Sequence, residues 1–349
     1  MQQSEWEPPE PPGIAPVRGH SPWRWIATTT IITALLFAAF FIPIPALFEY
    51  LPGPAPNVQD LVQVTGGRTY SSEGEMFITT VSVDIDVTFA EWVVSAFDDQ
   101  KTVVSREQVT GGQSLEQLQR SQELEMQDSN RQAEAVALGA LGLGKPQGDG
   151  AKVVGTLADS PADEVLRKGD LIEAIDGEKV DTTCDVGRII GTHEVGDTVT
   201  VRVKRGETHK EFEIGTIADE NDPGAPIIGV AMRDVNYHFT PGVTVDFHPG
   251  NIAGPSAGLM FALSIYDQLT PDDLTAGRKI AGTGTIACDG GVGPIGGVEE
   301  KVAGAERSGA EIFLAPTADY DAARRVAGDI EVVEVSTFQD AVDYLEGLQ

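Results

Sequence analysis

The sequence predicts an α+β protein with a single N-terminal transmembrane helix followed by two folded domains. Residues 25–48 contain no charged side chain. Short segments in which apolar and polar residues alternate, the pattern of half-buried strands, follow from about residue 80 onward. Near the C-terminus, one apolar helix is predicted to begin beside Ser256, and a second carries Lys301 in its apolar stripe.

The N-terminal segment divides into a polar tail and an apolar run. Residues 1–24 are polar and proline-rich, which predicts a disordered cytoplasmic tail. Residues 25–48 are long enough to cross a bilayer as a helix. Arg18 and Arg24 precede this run, and no basic residue follows until Arg68, so the positive-inside rule predicts a single-pass cell-membrane protein with its N-terminus in the cytoplasm and the rest of the chain outside. A cleaved signal peptide is the weaker alternative, because no A-x-A site follows the run.

Charge and cysteine content limit the classes of function. The formal net charge is -30, which argues against nucleic-acid binding because that requires a basic surface. Cys184 and Cys288 lie far apart in the sequence, and we expect small buried residues rather than a disulfide. They form no metal-type pair, and nothing in the sequence suggests a metal or another cofactor.

Residues 49–135 are predicted to form an extracytoplasmic α+β region. Apolar and polar residues alternate from Val81 to Phe89, which predicts a strand. The segment from Ser114 to about Ala137 is rich in glutamine and glutamate, and from this pattern alone it is predicted to be a solvated surface helix.

A glycine-rich stretch at residues 139–145 nearly matches a phosphate-binding P-loop. Pro146 stands where serine or threonine would bind magnesium, and no convincing strand precedes the stretch, so we exclude nucleotide binding here. A turn whose backbone amides face a peptide carboxylate is the better interpretation. The candidate peptide-binding residues are Leu141, Gly142, Leu143 and Gly144.

Residues 136–217 contain three motifs with a recognisable order: Ser160-Pro-Ala, Lys168-Gly-Asp-Leu-Ile and Ile175-Asp-Gly. Together they resemble a bacterial PDZ domain. The resemblance implies a domain that binds extended peptides, often at their C-termini, by adding a strand to a sheet edge. It also implies that the loop for the peptide carboxylate falls within residues 139–144.

The candidate nucleophile lies in the last predicted domain, residues 227–349, which follows a polar linker at residues 218–226. Ser256 begins an apolar run that extends to Tyr266 and predicts a buried helix. A serine at a helix N-terminus lies among free backbone amides that can stabilise an oxyanion. The alternative is a purely structural role, in which Ser256 only caps the helix. The candidate substrate-binding residues around it are Gly254, Pro255 and Ala257.

Histidine-dependent serine hydrolases do not fit this site. The serine stretch matches G-x-S-x-G, but α/β-hydrolases need a histidine after the serine, and all five histidines precede it. His238 or His248 with Asp246 gives a chymotrypsin-like order, but the spacing is too compact to resemble that family.

Lys301 is the candidate general base. In the predicted helix from Val298 to Ser308, it shares one apolar stripe with Val302 and Ala305. A lysine that faces a core should have a lowered pKa, and its neutral amine can then accept a proton from a serine hydroxyl. A lysine that snorkels from the edge of the stripe is the alternative.

The two stretches together resemble the proteolytic domain of Lon-type proteases. The matching motifs are Gly254-Pro-Ser-Ala-Gly258 and Pro294-Ile-Gly-Gly-Val-Glu-Glu-Lys301, with Ala305, Arg307, Gly309 and Pro316 after them. The resemblance implies that Ser256 is the nucleophile, that Lys301 is the general base, and that Thr283 hydrogen-bonds the lysine amine. The sequence departs from the family at Ala253 and Thr285, where aspartate and glutamate are frequent.

The resemblance also implies an order of domains. Residues 126–133 resemble a helix that lies earlier in the Lon-type domain, so the PDZ-like unit is expected to be inserted into a protease fold whose first part lies within residues 60–135. No AAA+ ATPase module is found in the 349 residues. The predicted order of anchor, PDZ domain and protease is similar to the membrane-anchored, YlbL-like branch of the family.

The sequence thus predicts an ATP-independent, membrane-anchored serine endopeptidase that acts outside the cytoplasm, with a PDZ domain that selects substrates. The expected partners are protein or peptide substrates and the lipid bilayer, without nucleotide or nucleic acid, and a homo-oligomer stays open. One alternative is a catalytically silent scaffold that binds membrane or cell-envelope proteins. Another is an esterase or amidase that acts on small acyl substrates.

Overall fold

The computed structural model describes residues 22–98, 100–144, 146–219, 224–239, 243–250 and 252–348, and most of the predicted tail at 1–24 lies outside them. The helices are α1 Pro22–Ala39, α2 Phe89–Ser95, α3 Arg106–Thr110, α4 Leu115–Ala140, α5 Pro161–Val165, α6 Thr183–Ile190, α7 Gly258–Leu269, α8 Val298–Arg307, α9 Tyr320–Val326 and α10 Phe338–Glu346. Short 3₁₀ turns cover Val58–Asp60, Pro255–Ala257 and Thr317–Asp319.

The strands are short, and many connect distant parts of the chain. In the first half they are β1 Leu47–Pro52, β2 Val62–Thr65, β3 Glu75–Ile78, β4 Val81–Asp84, β5 Thr102–Ser105, β6 Pro146–Gln147, β7 Ala151–Thr156 and β8 Leu171–Ile175. They continue as β9 Glu178–Lys179, β10 Thr198–Arg205, β11 Thr208–Gly215, β12 Ile217–Ala218, β13 Pro226–Ile227, β14 Val230–Asp234 and β15 His238–Phe239. The last are β16 Thr244–Phe247, β17 Lys279–Gly282, β18 Thr285–Ile286, β19 Val292–Gly293, β20 Ile312–Pro316 and β21 Glu331–Val335.

The apolar N-terminal run is helical only in its first part. Helix α1 ends at Ala39, and strand β1, which follows, buries Phe48 to 2% exposure. The prediction of one helix over residues 25–48 is therefore wrong for its last residues, because Pro43 and Pro45 cannot continue a helix. Within the described ranges, no helix combines the length and the apolar character that a membrane crossing requires.

A four-stranded parallel sheet, in the order β21-β20-β17-β3, lies at the centre of the C-terminal part of the protein. Ile280 of β17 packs into one hydrophobic cluster with α7 and α10, while Ala281 packs into a second cluster with α8 and α9. Both faces of the sheet are thus covered by helices, as parallel sheets require. The carboxyl ends of these strands point to one edge, where polar loop residues collect.

Residues before and after the PDZ-like unit share this core. Strand β3 pairs with β17, and β2 pairs with β16, although each pair is separated by more than half of the chain. Helix α4 packs its second half against α7, with Met126, Ser129 and Ala133 buried. The prediction of a solvated surface helix is therefore wrong for this half, where small residues allow close packing.

A small antiparallel sheet, in the order β4-β1-β5, lies beside the parallel sheet and places β4 at its edge. The predicted strand that begins at Val81 stops at Asp84, because the Asp84 carboxylate accepts the N–H of Asp86 at 2.9 Å and turns the chain. Helix α2 then starts with Thr88 as its N-cap and Glu91 completing a capping box.

The PDZ-like unit has a separate hydrophobic core. Its sheet has the order β11-β10-β8-β7-β14, with β9 paired to β8, and buried residues such as Ile172 and Val201 fill its interior. Strand β14 forms one free edge of this sheet, although it falls after the predicted linker at 218–226. Helix α6 lies alongside β13 and β14.

A disulfide joins Cys184 of α6 to Cys288 in the turn after β18. The expectation that the cysteines are small, buried and unpaired is wrong. The two residues are 104 positions apart, and only the packing of the PDZ-like unit against the protease core brings them together. This bridge covalently links the two domains.

Candidate active site

Ser256 lies in the 3₁₀ turn that leads into α7, as its sequence context predicts. Gly254 before it has φ +92°, a left-handed conformation that strains any residue with a Cβ atom. Gly258 after it allows a close approach of three elements. A Cβ atom at position 258 would lie 2.6 Å from Ser129 Oγ and 2.7 Å from Ile286 Cγ2. Backbone conformation at Gly254 and close packing at Gly258 therefore explain why glycine occupies both positions.

The backbone around Ser256 is held from two sides. The Ser129 hydroxyl of α4 donates to the carbonyl oxygen of Pro255 at 2.9 Å, and the N–H of Gly284 donates to the carbonyl oxygen of Ser256 at 2.9 Å. The first N–H groups of a helix have no intrahelical acceptor, so those of Ser256 and Ala257 are available to a negatively charged oxygen.

Lys301 is buried in the apolar stripe of α8, with 3% of its surface exposed. Its Nζ donates a hydrogen bond to Thr283 Oγ1 at 3.0 Å. The Thr283 hydroxyl, itself fully buried, donates to the carbonyl oxygen of Ser256 at 3.1 Å. The three residues that the sequence predicts as catalytic are thus brought to one place, with Thr283 connecting the other two.

Burial lowers the pKa of the Lys301 amine to about 8, because the charged ammonium is poorly solvated there. The carboxylate of Asp319 acts in the opposite direction and raises the same pKa. The balance leaves an amine that is neutral in a useful fraction of molecules at slightly alkaline pH. Such an amine can accept a proton from a nearby hydroxyl.

Asp319 is a site residue that the sequence reasoning missed. It follows β20 at the edge where the strands β3, β17 and β20 end, and its Oδ2 accepts the N–H of Ile295 at 2.9 Å. Burial raises the pKa of Asp319, whereas Lys301 lowers it. A carboxylate placed just after a predicted buried strand was the signal available in the sequence, because such positions meet at one sheet edge.

A cavity of about 890 Å³ opens beside Ser256 and Lys301. The predicted substrate-binding residues Gly254, Pro255 and Ala257 line it. Apolar side chains from several elements form much of the remaining wall, including Val81, Val83, Leu115, Leu118, Ile252 and Ile295. Ala253 and Thr285, the two positions that depart from the family pattern, also face this cavity. It is large enough for several residues of a peptide.

The loop predicted to bind a peptide carboxylate, residues 141–144, lies outside the sheet of the PDZ-like unit. Leu141 ends α4, and Gly142, Leu143 and Gly144 are exposed in the connection to β6, outside the sheet of the PDZ-like unit. The physical reason is that α4 continues to Ala140 on the protease core and carries this stretch with it. None of these four residues belongs to a strand at the edge of the PDZ sheet.

The free edge of that sheet is β14, which starts directly after Gly229. Gly229 has φ +74°, and a Cβ atom there would lie 2.4 Å from the Cβ of Ser160. At the other end of β14, Asp234 accepts the N–H of Thr183 at 2.6 Å and so holds the start of α6 against the strand. An edge strand beside a helix is the geometry that sheet-edge peptide binding requires.

Two parts of the chain match known domain families. Residues 231–345 match the Lon protease (S16) C-terminal proteolytic domain, and residues 122–216 match the PDZ domain. These matches confirm the predicted PDZ domain and Lon-type proteolytic domain. Ser256, Thr283 and Lys301 all fall within the first match, whereas β14 lies outside the second.

The curated relatives that match part of this chain include Lon proteases. Lon protease 2 of Bacillus subtilis is 35% identical over 110 residues, which is 32% of this chain and 18% of the relative. Lon protease of Mesomycoplasma hyopneumoniae is 28% identical over 193 residues, 50% of this chain and 22% of the relative. The chain thus spans about a fifth of the length of these curated relatives.

The solved structures that are similar to part of this chain include a PDZ domain. The PDZ domain of the SdrC-like protein of Listeria monocytogenes is 35% identical, and the match covers 24% of this chain and 87% of that chain with a TM-score of 0.22.

Proposed function

We propose that this chain, which contains a PDZ domain and a Lon-type proteolytic domain, is an ATP-independent serine endopeptidase with Ser256 as nucleophile and Lys301 as general base. One observation carries the proposal. The amine of a buried lysine, held by Thr283, lines the same cavity as a serine at the N-terminus of α7. A core lysine with a lowered pKa is costly for stability, and proton transfer gives it a use.

The mechanism follows from these positions. The neutral Lys301 amine takes the proton of the Ser256 hydroxyl as Oγ attacks the carbonyl carbon of a peptide bond. The N–H groups of Ser256 and Ala257, in the 3₁₀ turn before α7, stabilise the negative charge that forms on the carbonyl oxygen. The lysine ammonium then gives the proton to the leaving amine. Water, deprotonated by the same amine, hydrolyses the acyl-serine ester and restores both residues.

Thr283 positions the base in this mechanism. Its hydroxyl hydrogen is directed to the carbonyl oxygen of Ser256, so its oxygen can only accept from the lysine. One N–H of the neutral amine is thus fixed toward Thr283, which leaves the nitrogen lone pair for the serine proton. Thr283 orients the reaction without exchanging a proton itself.

The cavity supports a polypeptide substrate rather than a small acyl ester. Strand β4 is the edge of its sheet, and Val81, Ser82 and Val83 line the cavity, so an extended peptide can pair along this edge. The apolar wall suits apolar side chains, which folded proteins bury and unfolded segments expose. We therefore propose unfolded segments with apolar residues as the substrate class.

Hydrolysis of casein by the full chain in buffer without nucleotide tests the function. We expect fragments from the unaltered protein and none from Ser256→Ala, because the variant lacks the nucleophile. Mass spectrometry of the fragments would show whether the cleaved bonds lie next to apolar residues. If neither protein cuts casein or a small fluorogenic peptide, the endopeptidase proposal fails, and hydrolysis of a small acyl ester then separates the esterase alternative from the scaffold alternative. If both cut it equally, the cleavage belongs to another site.

We further propose that the PDZ domain selects substrates at the β14 edge, between this strand and α6. The support is that, among the strands the structure describes, β14 pairs with β7 alone, and that Gly229 just before it shapes a turn whose amides can meet a peptide carboxylate. This placement replaces residues 141–144 as the proposed peptide site. It also lets one chain bind a substrate at two separate edges, β14 and β4.

Backbone hydrogen exchange tests the β14 edge. In full-length Ser256→Ala protein mixed with casein fragments, exchange at residues 228–234 is expected to slow, because a bound peptide pairs with the strand. Gly229→Val should abolish this slowing, since its side chain collides with Ser160. Gly155→Val on neighbouring β7 is the matched control, because a Cβ atom there meets no atom within 4 Å. Slowing confined to the active-site cavity would contradict the proposal.

The location outside the cytoplasm is also part of the proposal. Disulfides persist in oxidising compartments and are rare in cytosolic proteins, so the Cys184–Cys288 bridge supports such a location. Helix α1 supports attachment to a membrane surface, because apolar side chains such as Ile31 and Phe37 are more than half exposed.

A further inference from the structure

The Cys184–Cys288 disulfide joins the two domains at the ends that the proposed function uses. Cys184 lies in the first turn of α6, the helix beside the β14 edge. Cys288 lies in the turn between β18 and β19, shortly after Thr283 in the sequence. The bridge therefore runs from the proposed peptide-binding side of the PDZ domain to the turn that follows the segment with Thr283, the hydrogen-bond partner of the Lys301 amine.

On the protease side, the turn with Cys288 is connected tightly to the catalytic serine. The N–H of Ala287 donates to the carbonyl oxygen of Gly291 at 2.8 Å, which closes the turn. Upstream, the N–H of Gly284 donates to the carbonyl oxygen of Ser256 at 2.9 Å. Strand β18 is the short, direct connection between these two contacts, so a displacement of Cys288 is passed to the backbone of Ser256.

A second, noncovalent route starts in the same turn of α6. The N–H of Thr183 donates to Asp234 Oδ1 at 2.6 Å, and the other oxygen of Asp234 lies 3.4 Å from Arg131 Nε of α4. Ser129, on the same helix as Arg131, donates to the carbonyl oxygen of Pro255 at 2.9 Å. This route reaches the other side of the turn that presents Ser256.

We propose that the Cys184–Cys288 bridge is a positioning element for catalysis, through which α6 of the PDZ domain holds the Thr283–Ile286 segment in its active arrangement. This inference rests on the proposed function of Ser256 and Lys301. Packed elements transmit displacements instead of absorbing them. Two neighbouring residues, Thr183 and Cys184, thus control both segments that fix the backbone of the nucleophile, and turnover depends on the bridge.

The bridge can be opened by a dithiol reductant, because both cysteines are only partly buried. Reduction by dithiothreitol transfers two electrons and two protons to the two sulfur atoms and gives two thiols, while dithiothreitol closes to its own cyclic disulfide. After reduction, the route through Asp234 and Arg131 still connects α6 to the turn of Ser256. The Thr283–Ile286 segment then keeps its contacts with the protease core, such as the N–H of Thr283 donating to the carbonyl oxygen of Leu314 at 3.2 Å, but it loses the covalent link that fixes it relative to α6.

The test compares the oxidised full chain, the same protein in dithiothreitol, and a Cys184→Ser/Cys288→Ser double variant. The substrate is a fluorogenic peptide too short to occupy both domains. We expect kcat to fall about tenfold in the reduced protein and in the double variant, with KM changed less than twofold, because Thr283 orients the base without binding substrate. Reoxidation should restore the kcat of the unaltered protein, and dithiothreitol should not change the kcat of the double variant.

Val201→Ala is the matched control, since it weakens the core of the same domain without opening the bridge and should leave kcat unchanged. Hydrogen exchange supplies a readout that needs no activity, and amides of residues 283–286 should exchange at least tenfold faster in the folded double variant. Unchanged kcat with unchanged exchange would overturn the coupling while leaving the protease intact. If the oxidised protein is inactive, the proposed function fails. The coupling between the bridge and residues 283–286 is then tested by hydrogen exchange only, and an unchanged exchange rate in the double variant would overturn it.

Discussion

A Lys301→Arg variant is expected to lose peptide hydrolysis by at least about 1,000-fold, because a guanidinium stays protonated and cannot accept the serine proton. Ser256→Ala should lose as much. The double variant should be little worse than either single variant, since the two residues act as one unit. The measurement is kcat/KM of the full chain on a fluorogenic peptide. A folded Lys301→Arg protein with near-normal turnover would exclude Lys301 as the base.

Lys301→Met separates loss of activity from loss of structure. Burial lowers the pKa of Lys301 to about 8, so the folded state resists protonation that the unfolded chain accepts below about pH 10.4. This loss of folding stability is fully present below about pH 8 and disappears as the pH rises from about 8 to about 10.4. Lys301→Met removes this penalty, so the variant should be inactive yet more stable at pH 7 by up to about 3 kcal/mol.

Thr283→Val should lower kcat only about tenfold.

The second large effect is a steep dependence of activity on pH. Only the neutral amine accepts a proton, so kcat/KM should rise with pH through the pKa of about 8 and level off above about pH 9. At pH 6, about one molecule in 100 carries the neutral amine, so kcat/KM should be about 100-fold below the plateau. A profile that is flat between pH 6 and 9 would contradict a lysine base.

Asp319→Asn identifies the group behind this profile. The variant removes the charge that raises the pKa of Lys301, while its amide oxygen can still accept the N–H of Ile295. The rising limb should therefore move to lower pH, with activity at pH 6 above that of the unaltered protein. Asp321→Asn, two positions further along and exposed, should leave the limb in place. A shift caused by both variants would indicate a general effect of net charge.

Local patterns made Ser256 and Lys301 candidates, and the resemblance of the two stretches taken together favoured a catalytic pair over a helix cap and a snorkelling lysine. Ser256 was visible as a serine between glycines at the start of an apolar helix, and Lys301 as a lysine in an apolar stripe, because helix periodicity decides which residues face a core. The structure places both at one cavity. Thr283 had no such local signature, and only the resemblance to Lon-type domains indicated it.

The predicted fold succeeded for the two domain types and failed where long-range packing decides. The second half of α4 reads as a polar surface helix, yet Ser129 and Ala133 are buried because α7 packs on them. Residues 141–144 are predicted from their glycines to bind a peptide carboxylate, but they follow α4 and lie outside the strands of the PDZ sheet. The edge strand β14 comes from beyond the predicted linker, where a five-residue strand gives little signal by itself.

The sequence by itself determined the candidate residues for the chemistry: a serine at a helix start, and a lysine whose neighbours at i+1 and i+4, Val302 and Ala305, are apolar. These are short-range properties, set by the 3.6-residue turn and by the free N–H groups of a helix end. Only the tertiary structure decided that Asp319 opposes the desolvation of Lys301, and that Cys184 meets Cys288 across 104 positions. Such pairings depend on many weak contacts between distant elements, and no local period in the chain records them.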